Sequence, residues 1–141
     1  MDSELEIRCV RSDSRLVFSG EIPRGLSGYD GCSYDVTLHG RPVSTTVTVY
    51  DIQPQDWYKF FNDLSRNWRG WSGEKSKASL EGHLRITATR DSLGHVSLRV
   101  VLRDDFVAGS NWRVEYTLTL EAGQLERLAT QAGRFFGRGA D

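Results

Sequence analysis

Cysteine is scarce in this chain, and its scarcity already narrows the chemistry. Cys9 and Cys32 are the only two, far apart and without a C-x-x-C pair, so neither a disulfide framework nor a zinc knuckle is written here. Both fall in strand-like stretches, where free buried thiols are expected. Histidine is equally thin: His39, His83 and His95 fit no H-x-H, H-x3-H or HExxH spacing, and no metal or cofactor is expected. Long apolar runs are missing as well. No stretch nears the roughly 18 residues of a membrane span. The opening MDSELEIRCV is acidic where a leader would be basic and then apolar, so the expectation is a cytoplasmic protein with no membrane partner.

A dominant charge sign is also lacking. The 18 basic and 19 acidic residues leave a net charge of −1, and neither half of the chain is a basic arm or an acidic tail, so nucleic acid is not an expected partner. The nucleophile-elbow pattern G-x-S-x-G is absent too. The glycines of GLSGYDG, at 25, 28 and 31, match neither phosphate-cradling pattern and lead into a strand rather than a helix. A noncatalytic protein is the simpler expectation.

What is present is an ordinary core. With 38% hydrophobic and 11% aromatic residues over 141 positions, one globular domain, 1–141, can bury most of its apolar surface without covalent staples. Period-two alternation predicts strands in LEIRCV, RLVFSGEI, CSYDVTLHG and PVSTTVTVY, forming two hairpins with an irregular loop, Pro23 to Gly31, between them. The period then changes. Trp57, Phe60, Phe61, Leu64 and Trp68 fall on one stripe of a helix that Pro54 and Asp56 start and Gly70 is expected to stop.

Three longer strands follow, LRITAT, HVSLRVVLR and WRVEYTLTL, with RDSLG and DDFVAGSN as connecting loops. Leu84, Ile86, Ala88, Val96, Leu98, Val100, Leu102, Trp112, Val114, Tyr116, Leu118 and Leu120 share the core face, and arginines and threonines the other. A second amphipathic helix, GQLERLATQAGRFFG, carries Leu125, Leu128, Ala129, Ala132, Phe135 and Phe136 and stops at Gly137. The predicted fold is α+β, ββββ-α-βββ-α: an antiparallel sheet of about seven strands with two helices on one face.

Few residues stand out as binding groups. In NWRGWSGEK, Arg69 sits near the helix end, Trp68 continues the core stripe, and Trp71 either seals the helix end or stands exposed; the seal is expected. Asp104 and Asp105 point opposite ways on an extended chain, so they form no carboxylate dyad, though in a loop they could meet a basic partner. Arg99 and Arg103, with Arg85 and Arg113, could make a local basic patch on the exposed sheet face, but without the interleaved aromatics of single-strand binders. His95, after Gly94 at a strand start, reads as a turn hydrogen bond.

Three of these features together carry a resemblance: the W-x-G-W segment Trp68–Trp71, Gly94-His95-Val96 opening a strand, and a Gln124-Leu125-Glu126 helix start running to Phe135-Phe136. Over residues 55 to 136 the chain resembles a family of small uncharacterised bacterial proteins, found mainly in actinobacteria and named only as a domain of unknown function. In size, charge balance and layout it is also similar to immunity proteins of bacterial toxin systems, which act by covering their toxin. The leading expectation is a noncatalytic protein-binding domain, whose partner would be a toxin or another neighbouring gene product. The alternative is a small-molecule binder or enzyme with a cavity lined by Trp57, Trp112, Tyr116 and Phe136.

Overall fold

The computed structural model describes residues 4–23, 31–107 and 109–138, and at 105–107 and 110 the backbone alone. Four strands come first: β1 (Glu4–Arg8), β2 (Arg15–Ser19), β3 (Cys32–His39) and β4 (Ser44–Asp51). They form an antiparallel meander in the order β1-β2-β3-β4. Helix α1 (Gln55–Arg66) interrupts the pairing, and a second meander follows: β5 (Lys75–Ala78), β6 (Leu84–Arg90), β7 (His95–Val107) and β8 (Ser110–Glu121). A 3-10 turn, Ala122–Gln124, leads into helix α2 (Leu125–Phe136). Class and pairing are as expected, with eight strands, but they divide into two four-stranded sheets.

The alternating residues explain why both sheets turn toward one interior. Leu5, Ile7, Leu16, Phe18, Tyr34, Val36, Leu38, Val47 and Val49 of the first sheet, and Leu84, Ile86, Ala88, Val96, Leu98, Val100, Leu102, Leu118 and Leu120 of the second, are all buried in one continuous core. The helices close it with Trp57, Phe61 and Leu64 from α1, and Leu125, Leu128, Ala132, Phe135 and Phe136 from α2. The sheets touch where β1 runs out. The Val10 N–H donates to the Thr119 carbonyl at 2.8 Å, and the Thr119 N–H points at Cys9 Sγ at 3.4 Å.

Several expectations need correction. DDFVAGSN is not a loop: β7 runs through to Val107 and β8 begins at Ser110, with Gly109 at φ +85° in the turn between them, so Asp104 and Asp105 are strand residues. Conversely KSKA, which shows no apolar alternation, is β5; it is held as an edge strand by its ladder to β6, and lysines suit an edge. On the face of β8 expected to be core, Leu118 and Leu120 are buried while Trp112, Val114 and Tyr116 are only partly so. The Pro23–Gly31 loop lies, at 24–30, outside the described residues.

The largest correction concerns Trp68, which is 51% exposed. Helix α1 ends at Arg66, two residues before it, because Asn67 leaves the helical region at φ −102°, ψ 29° and its side-chain amide donates to the Asp63 carbonyl at 2.8 Å. The stripe of Trp57, Phe61 and Leu64 therefore cannot be extrapolated to position 68 at 100° per residue. Gly70, at φ +137°, then turns the chain toward β5, a backbone conformation that favours glycine. Trp71 takes the inward place: it is half-buried against the core, with its indole N–H 3.4 Å from the Ala88 carbonyl.

Candidate functional site

The one buried charged side chain among the described residues is Asp51, 5% exposed at the end of β4. Strand parity puts it inward, following Val47 and Val49, and the three parts of the fold meet on it. Its Oδ2 accepts from the Tyr34 hydroxyl on β3 and, at 3.1 Å, from the Trp57 indole N–H on α1. Its Oδ1 accepts the Leu80 N–H, just after β5, at 2.8 Å. Burial pushes the Tyr34 phenol far above its ordinary value, and the Asp51 carboxylate pushes the same way, so the phenol stays a donor. The cleft beside it, about 350 Å3 and lined by Ile52, Gln53, Asp56, Lys77, Ala78 and Leu80, meets a carboxylate whose oxygens are already taken by the fold. The group is built as a joint.

The thiols differ in the same physical terms. Burial alone would raise Cys9, but backbone N–H groups of Thr119, Arg11 and Ser12 and the Ser12 hydroxyl all aim at its sulfur, and the thiol lies below its ordinary value. At Cys32 burial, and then the Asp51 charge, raise the thiol. Iodoacetamide at neutral pH is expected to alkylate Cys9 roughly tenfold or more faster than Cys32, read by peptide mass mapping. Equal rates would show that the amide cluster does not stabilise the thiolate.

The six residues singled out from sequence lie in two separate places. Arg99 and Arg103 project from β7. Arg99 lies between Glu74 at 3.6 Å and Glu115 at 3.4 Å, Arg113 is 3.8 Å from the same Glu115, and the Arg103 Nε donates to the Gly82 carbonyl at 3.1 Å. The arginine face is thus a mixed-charge surface, on which the outward Thr87 and Val101 are nonetheless buried. Asp104 pairs in register with Trp112 and has one buried carboxylate oxygen with no hydrogen-bond partner among the described residues. The Asp105 side chain lies outside the described residues. His95 does what a strand-start histidine was expected to do: its N–H and that of Leu93 both donate to Asp91 Oδ1 at 2.9 Å, with the ring 3.1 Å from Oδ2. The His95 backbone N–H, first among these contacts, holds the Asp91 carboxyl below its usual value.

Arg69 and Trp71 belong to the other place, at the end of α1, together with the residue that periodicity assigned wrongly. The Arg69 guanidinium lies over the Trp68 ring, 5.2 Å from its centroid. Arg90 reaches across from β6 and donates to the Trp68 carbonyl at 2.8 Å and to that of Asp91 at 2.8 Å. Beside the ring a cleft of about 470 Å3 is lined by Ser65, Arg66, Trp68, Ala122, Gly123 and Glu126. The Asp91–Gly94 turn is tied to the same end by the Ala122 N–H, which donates to the Gly94 carbonyl at 2.9 Å, and it carries Leu93, 81% exposed. No stripe or spacing assigns Leu93 and Trp68 to the same end; only the pairing of β6 with β7 and the start of α2 bring them there.

The four residues expected to line a cavity are placed differently. Trp57 and Phe136 are fully buried, each within ring contact of Phe18, at 6.1 and 5.4 Å, while the Tyr116 hydroxyl is 2.6 Å from Ser14 Oγ. Neither of the clefts described above is lined by any of the four. Among the described residues no helix is long and apolar enough to cross a membrane, and no three His, Cys, Asp or Glu side chains are grouped to hold a metal ion. No curated protein matches the chain. The sequence model of one family does match, over residues 9–139, nearly the whole length, and by it the chain belongs to a family of unknown function, DUF6228.

Proposed function

We propose that this chain is a noncatalytic protein-binding domain, and in its narrower form an immunity protein that neutralises a toxin by covering it. The observation that carries the reading is Trp68: a large aromatic ring half in water, backed by an arginine and fixed through its own carbonyl, on a body whose other three tryptophans lie in the core or packed against it. Tryptophan and arginine are the side chains most enriched among residues that dominate protein interfaces. The small-molecule alternative draws less support, because Trp57 and Phe136 pack against Phe18 and the Tyr116 hydroxyl is hydrogen-bonded to Ser14.

The two tryptophans of the W-x-G-W segment separate binding from folding. Trp68→Ala is expected to change folding free energy by no more than about 0.5 kcal/mol, since it removes an exposed side chain. Trp71→Ala removes a half-buried seal and is expected to cost about 1–3 kcal/mol. Urea unfolding of both variants measures this. For function, the product of an adjoining gene is co-expressed with this chain: growth arrest relieved by the wild type and not by Trp68→Ala supports the immunity form. If the adjoining product is harmless and binds neither protein, the immunity form fails.

A further inference from the structure

We infer that the Trp68 end is a docking surface for an acidic segment of a partner protein, one that sets an apolar side chain against the Trp68 ring and carboxylates against Arg66 and Arg69. This rests on the protein-binding reading and names the chemistry of the partner.

Charge complementarity carries the inference. Arg66 and Arg69 are exposed, and among the described residues neither forms an ion pair, as is also true of Arg11, Arg85 and Arg127, whereas Arg8, Arg15, Arg41, Arg99 and Arg113 each do; what sets Arg66 and Arg69 apart is that they flank an exposed tryptophan. Glu126 is the single carboxylate lining the cleft. Arg69 is already ordered over the ring, and the Trp68 backbone is held on both sides, its N–H donating to the Ser65 carbonyl at 3.2 Å and its carbonyl accepting from Arg90. A ring fixed in this way loses little freedom when a partner covers it. Guanidinium groups left without carboxylates next to an exposed aromatic are complementary to a strand or helix edge that interleaves Asp or Glu with Leu, Phe or Trp.

Single-stranded nucleic acid also combines stacking with arginine contacts, but the observations favour protein. One exposed ring offers no platform for successive bases, the net charge is −1, and the companion at this end is Leu93, an aliphatic group with nothing to offer a base stack. Apolar and acidic groups on one segment answer all of these features together.

Selection from a library of random short peptides displayed on phage tests the inference without presupposing the partner. Wild-type chain is expected to enrich sequences that interleave acidic and large apolar residues. The enriched peptides, synthesised, should weaken by roughly tenfold or more on Trp68→Ala and on the double substitution Arg66→Glu, Arg69→Glu. Both variants keep the far-ultraviolet circular dichroism of the wild type, and the Trp68 indole resonance shifts on binding. Added salt should weaken the binding further. No enrichment, enriched peptides without acidic residues, or indifference to the arginine pair each overturns the inference, as does tighter binding of an oligouridylate at the same salt. Growth rescue that needs Trp68 but ignores the arginine pair would sink the acidic partner while leaving the protein-binding reading in place.

Discussion

Asp51→Ala is expected to lower folding free energy by about 3–5 kcal/mol, near the upper end for a single substitution in a domain of this size. The carboxylate takes three donors from three parts of the chain: the Tyr34 hydroxyl, the Trp57 indole and the Leu80 amide. Tyr34 and Trp57 are 2% and 0% exposed, so their donors have no water to fall back on, and each lost partner costs about 1–3 kcal/mol. Asp51→Asn keeps the volume and one acceptor oxygen and should cost less, about 1–3 kcal/mol. Tyr34→Phe removes one of the stranded donors, so the double variant with Asp51→Ala should be less damaged than the sum of the singles. Urea denaturation of the wild type and the four variants measures all of this. A loss below about 1 kcal/mol for Asp51→Ala would show that the junction does not hold the parts together.

The same joint sets an alkaline limit, and its sign follows from Tyr34. In the unfolded chain the phenol ionises around pH 10; in the folded protein burial and the Asp51 charge keep it protonated well beyond that. Above pH 10 the folded state therefore holds a proton that the unfolded state has released. The stabilisation is fully present below pH 10 and drains as the pH rises, by about 1.4 kcal/mol per pH unit for this one group. Tyr34→Phe should flatten that part of the profile.

Phe18→Ala is the second large expected effect, a cost of about 3–5 kcal/mol. Phe18 has no exposed surface, and its ring lies 5.4–6.4 Å from five others: Tyr34, Trp57, Phe61, Phe135 and Phe136. Those rings come from the first sheet and from both helices, so the cavity cannot be closed by moving one element without straining another. Edge-to-face pairs such as that with Phe136 add about 0.5–1.5 kcal/mol beyond burial. A fall in melting temperature of about 10–20 °C is expected by calorimetry. Phe18→Leu, which refills most of the space, should recover more than half of it. A fall of only a few degrees for Phe18→Ala would mean that the aromatic cluster repacks.

Much of the fold was legible because its signals are local. Alternation marked seven of the eight strands and their buried faces, and α2 kept its whole stripe because Gly137, at φ +83°, ends it after Phe136. β5 was not legible, since an edge strand paired on one side needs no apolar alternation. The extra length of β7 and β8 beyond Arg103 was missed because Asp104 and Asp105 argue against a strand until the opposite chain supplies the ladder. Of the candidate site, Arg69 was visible and Trp71 was rightly turned inward, but Trp68 was read as core because the stripe was carried past the helix that defines it.

By itself the sequence determined the periods, and with them which side chains leave water and in what elements, because burial follows local geometry. It also held a clue at Asp51, which continues the inward parity of Val47 and Val49. Only the tertiary structure decided that the strands part into two sheets, that one carboxylate gathers Tyr34, Trp57 and Leu80, and that Trp68, Arg66, Arg69 and Leu93 share one end. Those outcomes depend on contacts between residues far apart in the chain, and no spacing along it records them.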